Sequence, residues 1–276
     1  MASAGDPVAG ALLECWGTPR ATGEQVDGVA IRELAPGVGL LHRESMHIYD
    51  DDLDRRLPPA WRSPEVPLVF PSIHRSDSGR PSLTVHPLGN VGPTADVGGR
   101  ARTLVPTAPR LMTDALRRLP EAASRLDYSV SFEATHHGPA LSTPAFFVEI
   151  GTGDGSRPPS SLVRAFADLL VGLEADPRDR VVLGVGGGHY APHFTDLVLR
   201  RRWAFGHILS RHALAVADSS TLRAARSLTP GAEGFLTHRA QDAEDSFVDA
   251  MGPRLAETEA ELRTMLPTSS ARTAGT

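Results

Sequence analysis

The chain has 276 residues, a formal net charge of −5 and one cysteine, Cys15. This length suits one large domain or two lobes, and a lone cysteine cannot form an internal disulfide, so we expect a reducing, cytoplasmic environment. No apolar run reaches the roughly 18 residues of a membrane span, so no membrane partner is expected. All 28 basic residues are arginines, which excludes lysine Schiff-base chemistry and a Walker-type phosphate loop. The acidic balance argues against a general nucleic-acid coat but permits a local basic patch.

The N-terminal part of the chain carries weak signals. Residues 1–30 are rich in glycine and alanine and predict only a helical turn at 11–13, whereas residues 38–49 predict a strand. Asp50, Asp51, Asp52 and Asp54 form an acidic cluster. No calcium-loop pattern follows this cluster, so we interpret it as a solvated loop.

Two short apolar runs, 67–70 and 83–86, are typical of buried strands. A polar loop is expected between them, at residues 72–80. Residues 109–119 repeat apolar side chains at helical spacing, which predicts a helix with Arg117 and Arg118 facing solvent.

The centre of the chain is the stretch 131–139 followed by 143–151. Apolar and polar residues alternate from Tyr128 to Thr135, the period-two pattern of a half-buried strand. This strand places Glu133 and His137 on one face and His136 on the other, just before Gly138-Pro139 breaks it. A second strand, 145–150, is apolar except for Glu149. Buried carboxylates and imidazoles are normally paired, metal-bound or used, so this centre predicts a functional site.

The second half of the chain alternates helices and strands. A helix is predicted at 162–175, a buried strand at 180–183, a glycine-rich loop at 184–188 and a helix through 199. A strand at 204–209 follows, then a helix capped by Ser219 or Ser220. Residues 242–266 predict a helix interrupted at Gly252-Pro253, and 267–276 a disordered tail.

This order of elements predicts an α/β fold with a central mixed, mostly parallel sheet flanked by helices. Residues 1–266 are expected to form one catalytic unit, in which 1–65 is a divergent N-terminal part. Sites in such sheets gather at the carboxyl ends of the strands. Histidines occupy the predicted strand ends: His74, His86, His136, His137 and His189.

Several motifs can be narrowed by their spacing. The loop 184–188 follows a strand, as a phosphate cradle would, but its spacing does not match a dinucleotide fingerprint. It remains either a close approach to a substrate's phosphate, ribose or carbonyl, or a tight turn. His189 and His193 lack the Glu of a His-Glu-x-x-His zinc motif. Residues 200–202 with Arg211 form either an anion patch or a solvated helix end. No nucleophile elbow is present, so water is the expected nucleophile of any hydrolysis.

Six blocks, in order, resemble the archaeal and plant-type D-aminoacyl-tRNA deacylases. They are residues 72–79, 83–90, 133–139, 147–151, 184–192 and 205–208, within roughly 66–214. The resemblance implies hydrolysis of the ester between a D-amino acid and the 3′-terminal adenosine of tRNA, dependence on zinc, and a fold related to phosphorylase/hydrolase and peptidyl-tRNA hydrolase folds. Ile73 stands where the family more often has arginine, residues 152–159 lack its usual acidic, tryptophan-containing run, and the match beyond 214 is poor.

The resemblance also implies roles for individual residues. The expected catalytic residues are Glu133, His136, His137 and His189. The expected metal ligands, for Zn²⁺, are His74, His86 and His137. The expected substrate-binding residues are Ser72, His74, Ser76, Thr84, Asn90, Thr135, Glu149, Gly186, Gly187, Gly188, Tyr190 and His207. D-Aminoacyl-tRNA is the expected partner, and the sequence identifies no protein partner.

Two other functions remain open at this stage. One is a zinc-dependent hydrolase of small esters or amides without RNA. The other is a non-catalytic protein that binds tRNA or nucleotides. A zinc site can be assembled from the histidines with Glu133 and Glu149, but spacing alone does not show it.

Overall fold

The computed structural model of the chain describes residues 2–3, 13–17, 19–63, 65–75, 79–124, 126–153, 156–239 and 244–256. Its first part is a small sheet with the strand order β1-β4-β3-β2. The elements are β1 (Ala2–Ser3), α1 (13–16), β2 (Arg20–Val26), β3 (Val29–Ala35) and β4 (Val38–Arg43). The hairpin β2–β3 turns at Asp27-Gly28, where both residues have positive φ, as a tight two-residue turn requires. The sequence interpretation missed these two strands.

The predicted strand at 38–49 ends earlier than expected. β4 stops at Arg43, and a 3₁₀ turn (His47–Tyr49), α2 (Leu53–Arg56) and a second 3₁₀ turn (Pro59–Trp61) follow. The acidic cluster between them is not a solvated loop. Asp54 is 2% exposed and accepts hydrogen bonds from the backbone amides of Ser142 and Thr143 at 2.7 and 2.9 Å. This carboxylate therefore fixes the chain that follows Gly138-Pro139.

The central element is a mixed sheet with the strand order β5-β10-β6-β9. Its strands are β5 (Leu68–Arg75), β6 (Ser82–Pro87), β9 (Ser129–Phe132) and β10 (Ala145–Thr152), and a short pair, β7 (Gly89–Asn90) and β8 (Thr103–Leu104), extends from the end of β6. β5 is parallel to β10, whereas β6 is antiparallel to β10 and parallel to β9. The polar loop expected at 72–80 was wrong in its first half, because β5 continues to Arg75 along β10.

A second sheet is parallel throughout and has the strand order β12-β11-β13. Its strands are β11 (Arg180–Gly186), β12 (Trp203–Leu209) and β13 (Phe235–His238). The helices are α3 (Pro109–Ala122), α4 (Ser160–Val171), α5 (Pro192–Arg200), α6 (Arg211–Leu214), α7 (Ser219–Ser227) and α8 (Glu244–Met251). The α/β class is therefore confirmed. Instead of one central sheet, the described residues form a mixed sheet and a separate parallel sheet.

The two sheets meet at the end of β9. The amide of Ala134 donates to the carbonyl of His189 at 2.7 Å, and the amide of Thr135 donates to the carbonyl of Ile208 at 2.8 Å. The amide of Glu133 donates in the other direction, to Val85 of the mixed sheet, at 3.0 Å. Residues 133–135 thus join the sheets, and this seam is where the histidines gather.

Helix α3 covers the core with Met112, Leu116 and Leu119, none of which is exposed. Its Arg117 was predicted to face solvent, and that was wrong. The guanidinium donates to the carboxylate of Asp179, which is 1% exposed, and to the carbonyl of Val198. This arginine ties α3 to the start of β11.

Two helix ends differ from expectation. Asp218, rather than Ser219 or Ser220, caps α7, and its carboxylate accepts from the amide of Thr221 at 2.8 Å. Helix α8 ends at Met251, before Gly252 with a φ of 85° and Pro253. The remainder of the predicted helix 242–266, and the tail 267–276, lie outside the described residues.

Candidate functional site

Register places a row of polar side chains on one face of the mixed sheet. Glu149 of β10 lies opposite Ser72 of β5 and Thr84 of β6. Paired residues point to the same side of a sheet, and residues two apart share a face. His86 therefore lies on the same face as Thr84, and Glu133 extends the row just beyond β9. This face carries the site.

Three imidazole rings are each held by a hydrogen bond to a backbone carbonyl. The Nδ1 atoms of His86, His136 and His137 lie 3.2, 2.8 and 2.7 Å from the backbone carbonyl oxygens of Pro87, Ala134 and Gly138. A carbonyl oxygen only accepts, so each ring carries a proton on Nδ1, and the neutral form of such a ring has its lone pair on Nε2. The ring centroid of His86 lies 4.0 Å from that of His136 and 4.9 Å from that of His137. The expected split of His136 and His137 onto opposite faces was wrong, because β9 ends at Phe132 and the chain turns.

The turn at His137 depends on close backbone packing. His137 has a φ of 41°, a left-handed conformation that non-glycine residues seldom adopt. A Cβ on the following Gly138 would lie 2.2 Å from the amide nitrogen of Gly99 and 2.6 Å from the carbonyl oxygen of Ile48. Only glycine fits there, so the His-His-Gly sequence holds both imidazoles against the sheet.

Two buried carboxylates face these rings. Glu133 is 2% exposed, and its Oε2 lies 3.2 Å from Nε2 of His189 and 3.6 Å from Nε2 of His136. Glu149 is 5% exposed, and its Oε2 lies 3.7 Å from Nε2 of His86. His189 is the most open of the four imidazoles, with 51% of its side chain exposed. Glu133 thus connects the buried cluster to an accessible histidine.

The protonation of the cluster follows from its burial. Burial, together with the nearby His86, lowers the pKa of His137 to about 4, although the neighbouring carboxylates oppose this shift. Burial and the neighbouring imidazoles hold the pKa of His136 well below 6.5. Both rings are therefore neutral near pH 7, and the lone pair on Nε2 of His136 faces the carboxyl group of Glu133 at 3.6 Å.

This arrangement fits a cation. The groups His86/His136/His137, Glu133/His136/His189 and His86/Glu133/Glu149 each place three ligand atoms within 4.8 Å of one another. Nε2 of His86 and Oε1 of Glu133 are buried and have no hydrogen-bond partner among the described residues. Metal-bound histidines usually donate their second N–H to a carbonyl or carboxylate, as these three do. The described residues thus hold buried groups able to bind a metal ion.

The glycine-rich loop lies at the edge of the cluster. Gly186 and Gly187 have φ values of 99° and 75°. A Cβ on Gly187 or Gly188 would meet nothing nearer than 3.6 Å, so the space in front of this backbone is open. Tyr190 forms an antiparallel bridge with Glu133. This loop is therefore held beside the carboxylate and is open to a ligand.

Some predicted substrate-binding residues have other roles. Thr135 and His207 are 5% and 0% exposed, and Oγ1 of Thr135 lies 3.1 Å from Nδ1 of His207. They form a buried link beneath the site, and their binding of substrate stays a prediction. Asn90 donates to the carbonyl of Gly98 at 2.9 Å and so anchors the loop that packs on Gly138.

The backbone of His74 lies away from the metal cluster. Its backbone is level with Gly151 and Ser82, four strand positions from the level of His86 and Phe147. At about 3.3 Å per residue this is roughly 13 Å along the sheet. β5 and β6 run in opposite directions, so the carboxyl end of β5 and the carboxyl end of β6 lie at opposite ends of the strands of this sheet. Ser76 lies outside the described residues, while Ser72 and Thr84 are buried beside Glu149.

One neighbour of the site carried no sequence signal. His47 is 7% exposed, and its ring lies 5.2 Å from that of Phe147, which stacks on His86 at 5.0 Å. Burial lowers the pKa of His47 to about 4, while the charge of Glu149 opposes this shift. It comes from a segment that packs over the sheet, which only the tertiary fold reveals.

Two other features lie apart from the cluster. A cavity of about 310 Å³ lies between the first sheet and α3–α4. Among the described residues that line it, Glu65 is the only ionisable one, so it holds no cluster of histidines and carboxylates. In the predicted arginine patch, Arg202 pairs with Asp176 at 2.7 Å and Arg200 with Asp196 at 3.7 Å. These pairs support the alternative of a solvated helix end.

The fold and the site define an α/β protein with a buried histidine–carboxylate cluster. A family model described as D-aminoacyl-tRNA deacylase matches residues 64–250, more than half of the chain and well past residue 214. The match therefore extends further than the sequence blocks suggested. The chain belongs to the D-aminoacyl-tRNA deacylase family.

Curated relatives agree with this assignment. The D-aminoacyl-tRNA deacylase of Thermoplasma acidophilum is 39% identical over 62% of this chain and 67% of its own length. Those of Methanosarcina mazei and Pyrococcus furiosus are 34% and 35% identical, over 85% and 83% of this chain and 81% and 80% of their own lengths. A crystal structure of a conserved protein of unknown function superposes with a TM-score of 0.73 at 28% identity, over 86% of this chain and 84% of that one.

Proposed function

We propose that this protein hydrolyses the ester that joins a D-amino acid to the 3′-terminal adenosine of tRNA, and so releases the amino acid and reusable tRNA. Membership of the deacylase family supports this activity. The observation that carries the chemistry is the pair Glu133–His189, in which a buried carboxylate lies 3.2 Å from an accessible imidazole. We expect the reaction in the cytoplasm; no helix in the described ranges is long and apolar enough to cross a bilayer.

The pair provides a general base. With Nε2–H directed at Glu133, His189 carries its lone pair on Nδ1, where it takes a proton from the attacking water. The water oxygen bonds to the ester carbonyl carbon, the carbon–oxygen bond to the ribose breaks, and the imidazolium returns its proton to the ribose oxygen. Glu133 stabilises the imidazolium in between. Water supplies the hydroxyl of the amino acid and the proton of the tRNA, so the reaction balances.

Other residues would place the substrate. Glu149 is a buried carboxyl group, and a carboxylate suits the α-ammonium group of an aminoacyl ester. The open backbone of Gly187 and Gly188 would offer N–H groups to the carbonyl oxygen as negative charge develops there. Discrimination against L-amino acids would arise where a side chain of the wrong hand collides with this backbone.

We propose Zn²⁺ as the bound metal, because imidazole and carboxylate donors at a buried site suit zinc. His86, His136 and His137 would hold it, with Glu133 or Glu149 as the carboxylate. His74 is not among the ligands, since its strand ends at the other edge of the sheet. Bound zinc would supply a Lewis acid next to the ester.

The test compares D-Tyr-tRNA with L-Tyr-tRNA as substrates of the purified protein. We expect the D ester to be hydrolysed and the L ester to be spared. Equal rates on both would contradict the proposal, and turnover of small esters without tRNA preference would favour a general esterase. The Glu121→Gln variant, at an exposed position on α3, serves as the matched control for Glu133→Gln.

A further inference from the structure

A second pair of imidazoles lies next to the glycine-rich loop and is not part of the cluster. The rings of His193 and His238 are stacked, with centroids 4.3 Å apart and planes inclined by 20°. Both residues are half-buried. His238 ends β13 level with Gly186, and its Cδ2 would be the nearest atom to a Cβ on Gly187, at 3.6 Å. The stack therefore forms one wall of the open space in front of the loop.

Two exposed arginines border the same loop. Arg239 follows His238 directly, and Arg211 donates its backbone amide to the carbonyl of Gly187 at 3.1 Å. Within the described part of the chain, neither guanidinium forms an ion pair with a carboxylate, and the side chain of Arg211 donates a hydrogen bond to His212 at 3.4 Å. They contrast with Arg200 and Arg202, which are paired with aspartates.

The stack is close to the reacting centre along the chain. His193 is four residues from His189, a span of at most about 14 Å even if fully extended. Aromatic faces with flanking arginines and a close-approaching backbone form the usual surface for single-stranded RNA, whose bases stack and whose phosphates pair with guanidinium groups. The geometry thus fits a strand that enters over the loop toward His189.

We infer that the His193–His238 stack, with Arg211 and Arg239, binds the single-stranded acceptor end of the tRNA just before the terminal adenosine. One base stacks on the imidazole pair, and the adjoining phosphates contact the two arginines. This inference rests on the proposed function, since it assigns the contact surface for that substrate. It predicts that these four residues contribute to the binding of tRNA and not to the hydrolysis of the ester itself.

The experiment compares two substrates, D-Tyr-tRNA and D-tyrosyl-adenosine, which has the same ester without the preceding nucleotides. For His238→Ala and His193→Ala we expect KM for D-Tyr-tRNA to rise about tenfold, because base stacking contributes roughly 1–3 kcal/mol. Hydrolysis of D-tyrosyl-adenosine should stay unchanged, which also shows that the variants fold. His238→Phe keeps an aromatic face and should restore the KM for tRNA.

The arginines are tested by salt dependence. Arg211→Ala and Arg239→Ala should weaken tRNA binding and reduce the slope of log K against log salt by about 0.7 for each phosphate contact. Arg164→Ala, at an exposed position on α4, is the control and should leave the slope as in the wild type. An equal loss on both substrates, or no loss on tRNA, would overturn the inference. If the wild type hydrolyses neither substrate, it is the proposed function that fails.

Discussion

The histidine cluster and one further buried histidine, His207, both lie next to the seam between the sheets. In the cluster, His86 and His136 donate from Nδ1 to backbone carbonyls, and their Nε2 atoms face Glu149 and Glu133. Beneath them, His207 is equally buried, but its Nδ1 meets the hydroxyl of Thr135, and no carboxylate of the described residues pairs with it.

The difference shows what separates a buried histidine that could bind a metal ion from one that supports the core. Burial alone does not, because it lowers the pKa of His207 to about 3 and that of His137 to about 4. What differs is the group opposite the second ring nitrogen. A carboxylate there creates a site for a proton or a metal ion, whereas His207, among the described residues, contacts only the hydroxyl of Thr135 and the backbone of Val105 in this way.

The strongest test of this contrast is Glu133→Gln. We expect kcat for D-Tyr-tRNA to fall about 10³-fold, because general-base catalysis contributes roughly 10²–10⁴-fold and the amide cannot stabilise the His189 imidazolium. Steady-state kinetics measures the loss, and circular dichroism confirms the fold. A variant that keeps wild-type kcat would remove Glu133 from the chemistry.

The second test uses metal removal to distinguish the histidine cluster from His207. A metal that binds only the folded chain stabilises it by about 2.7 kcal/mol at 100 times its Kd. We expect Zn²⁺ to raise the unfolding temperature of the chelator-treated wild type and of His207→Gln, but not of His86→Ala. His137→Gln provides a second cluster variant if His86→Ala does not fold. A zinc response that His86→Ala and His137→Gln both retain would place the metal elsewhere.

The pH dependence of stability should come partly from His207. Its folded pKa of about 3 lies below the ordinary 6.5, so the unfolded chain binds more protons between these values. Stability is therefore full above pH 6.5 and decreases as the pH falls toward 3. Between pH 7.5 and 5.0, His207→Gln should lose about 2 kcal/mol less unfolding free energy than the wild type. Urea denaturation measures this, with the exposed His212→Gln as control; equal losses would contradict the assignment.

The smallest expected effect is that of Asn90→Ala. It removes the hydrogen bond to Gly98 and should cost about 1 kcal/mol of unfolding free energy. Because Asn90 holds the loop at Gly98 and we expect no contact with the substrate, KM for D-Tyr-tRNA should change less than twofold. A KM increase of tenfold or more without loss of stability would restore Asn90 as a substrate contact.

Much of the site was readable from the sequence, because its residues are polar side chains inside apolar strands. Glu133, His136, His137, His86 and Glu149 all stood out in this way, and the structure brings them together. The direction of β6 was not readable. Treating every strand end as the same edge placed His74 with His86, whereas antiparallel pairing of β6 with β10 separates them.

Helices and strands were predicted where the apolar residues repeat regularly, and strands were missed where only a turn marks them. Helix α3 and strands β6, β10 and β12 follow their apolar patterns closely. The hairpin β2–β3 is polar on its exposed side, so only its Asp27-Gly28 turn could have indicated it. His47 reaches the site through tertiary packing, for which a single sequence holds no local signal.

The seam at 133–135 sets a condition on how the protein is made. Oγ1 of Thr135 accepts a hydrogen bond from the backbone amide of Ile208, a residue 73 positions later in the chain. During synthesis, the segment with Glu133 leaves the ribosome well before its partner strand β12 exists. The edge of the mixed sheet at the end of β9 therefore stays unpaired until that strand emerges. A product truncated before residue 208 would contain most of the histidines but lack the hydrogen bonds between Thr135 and Ile208.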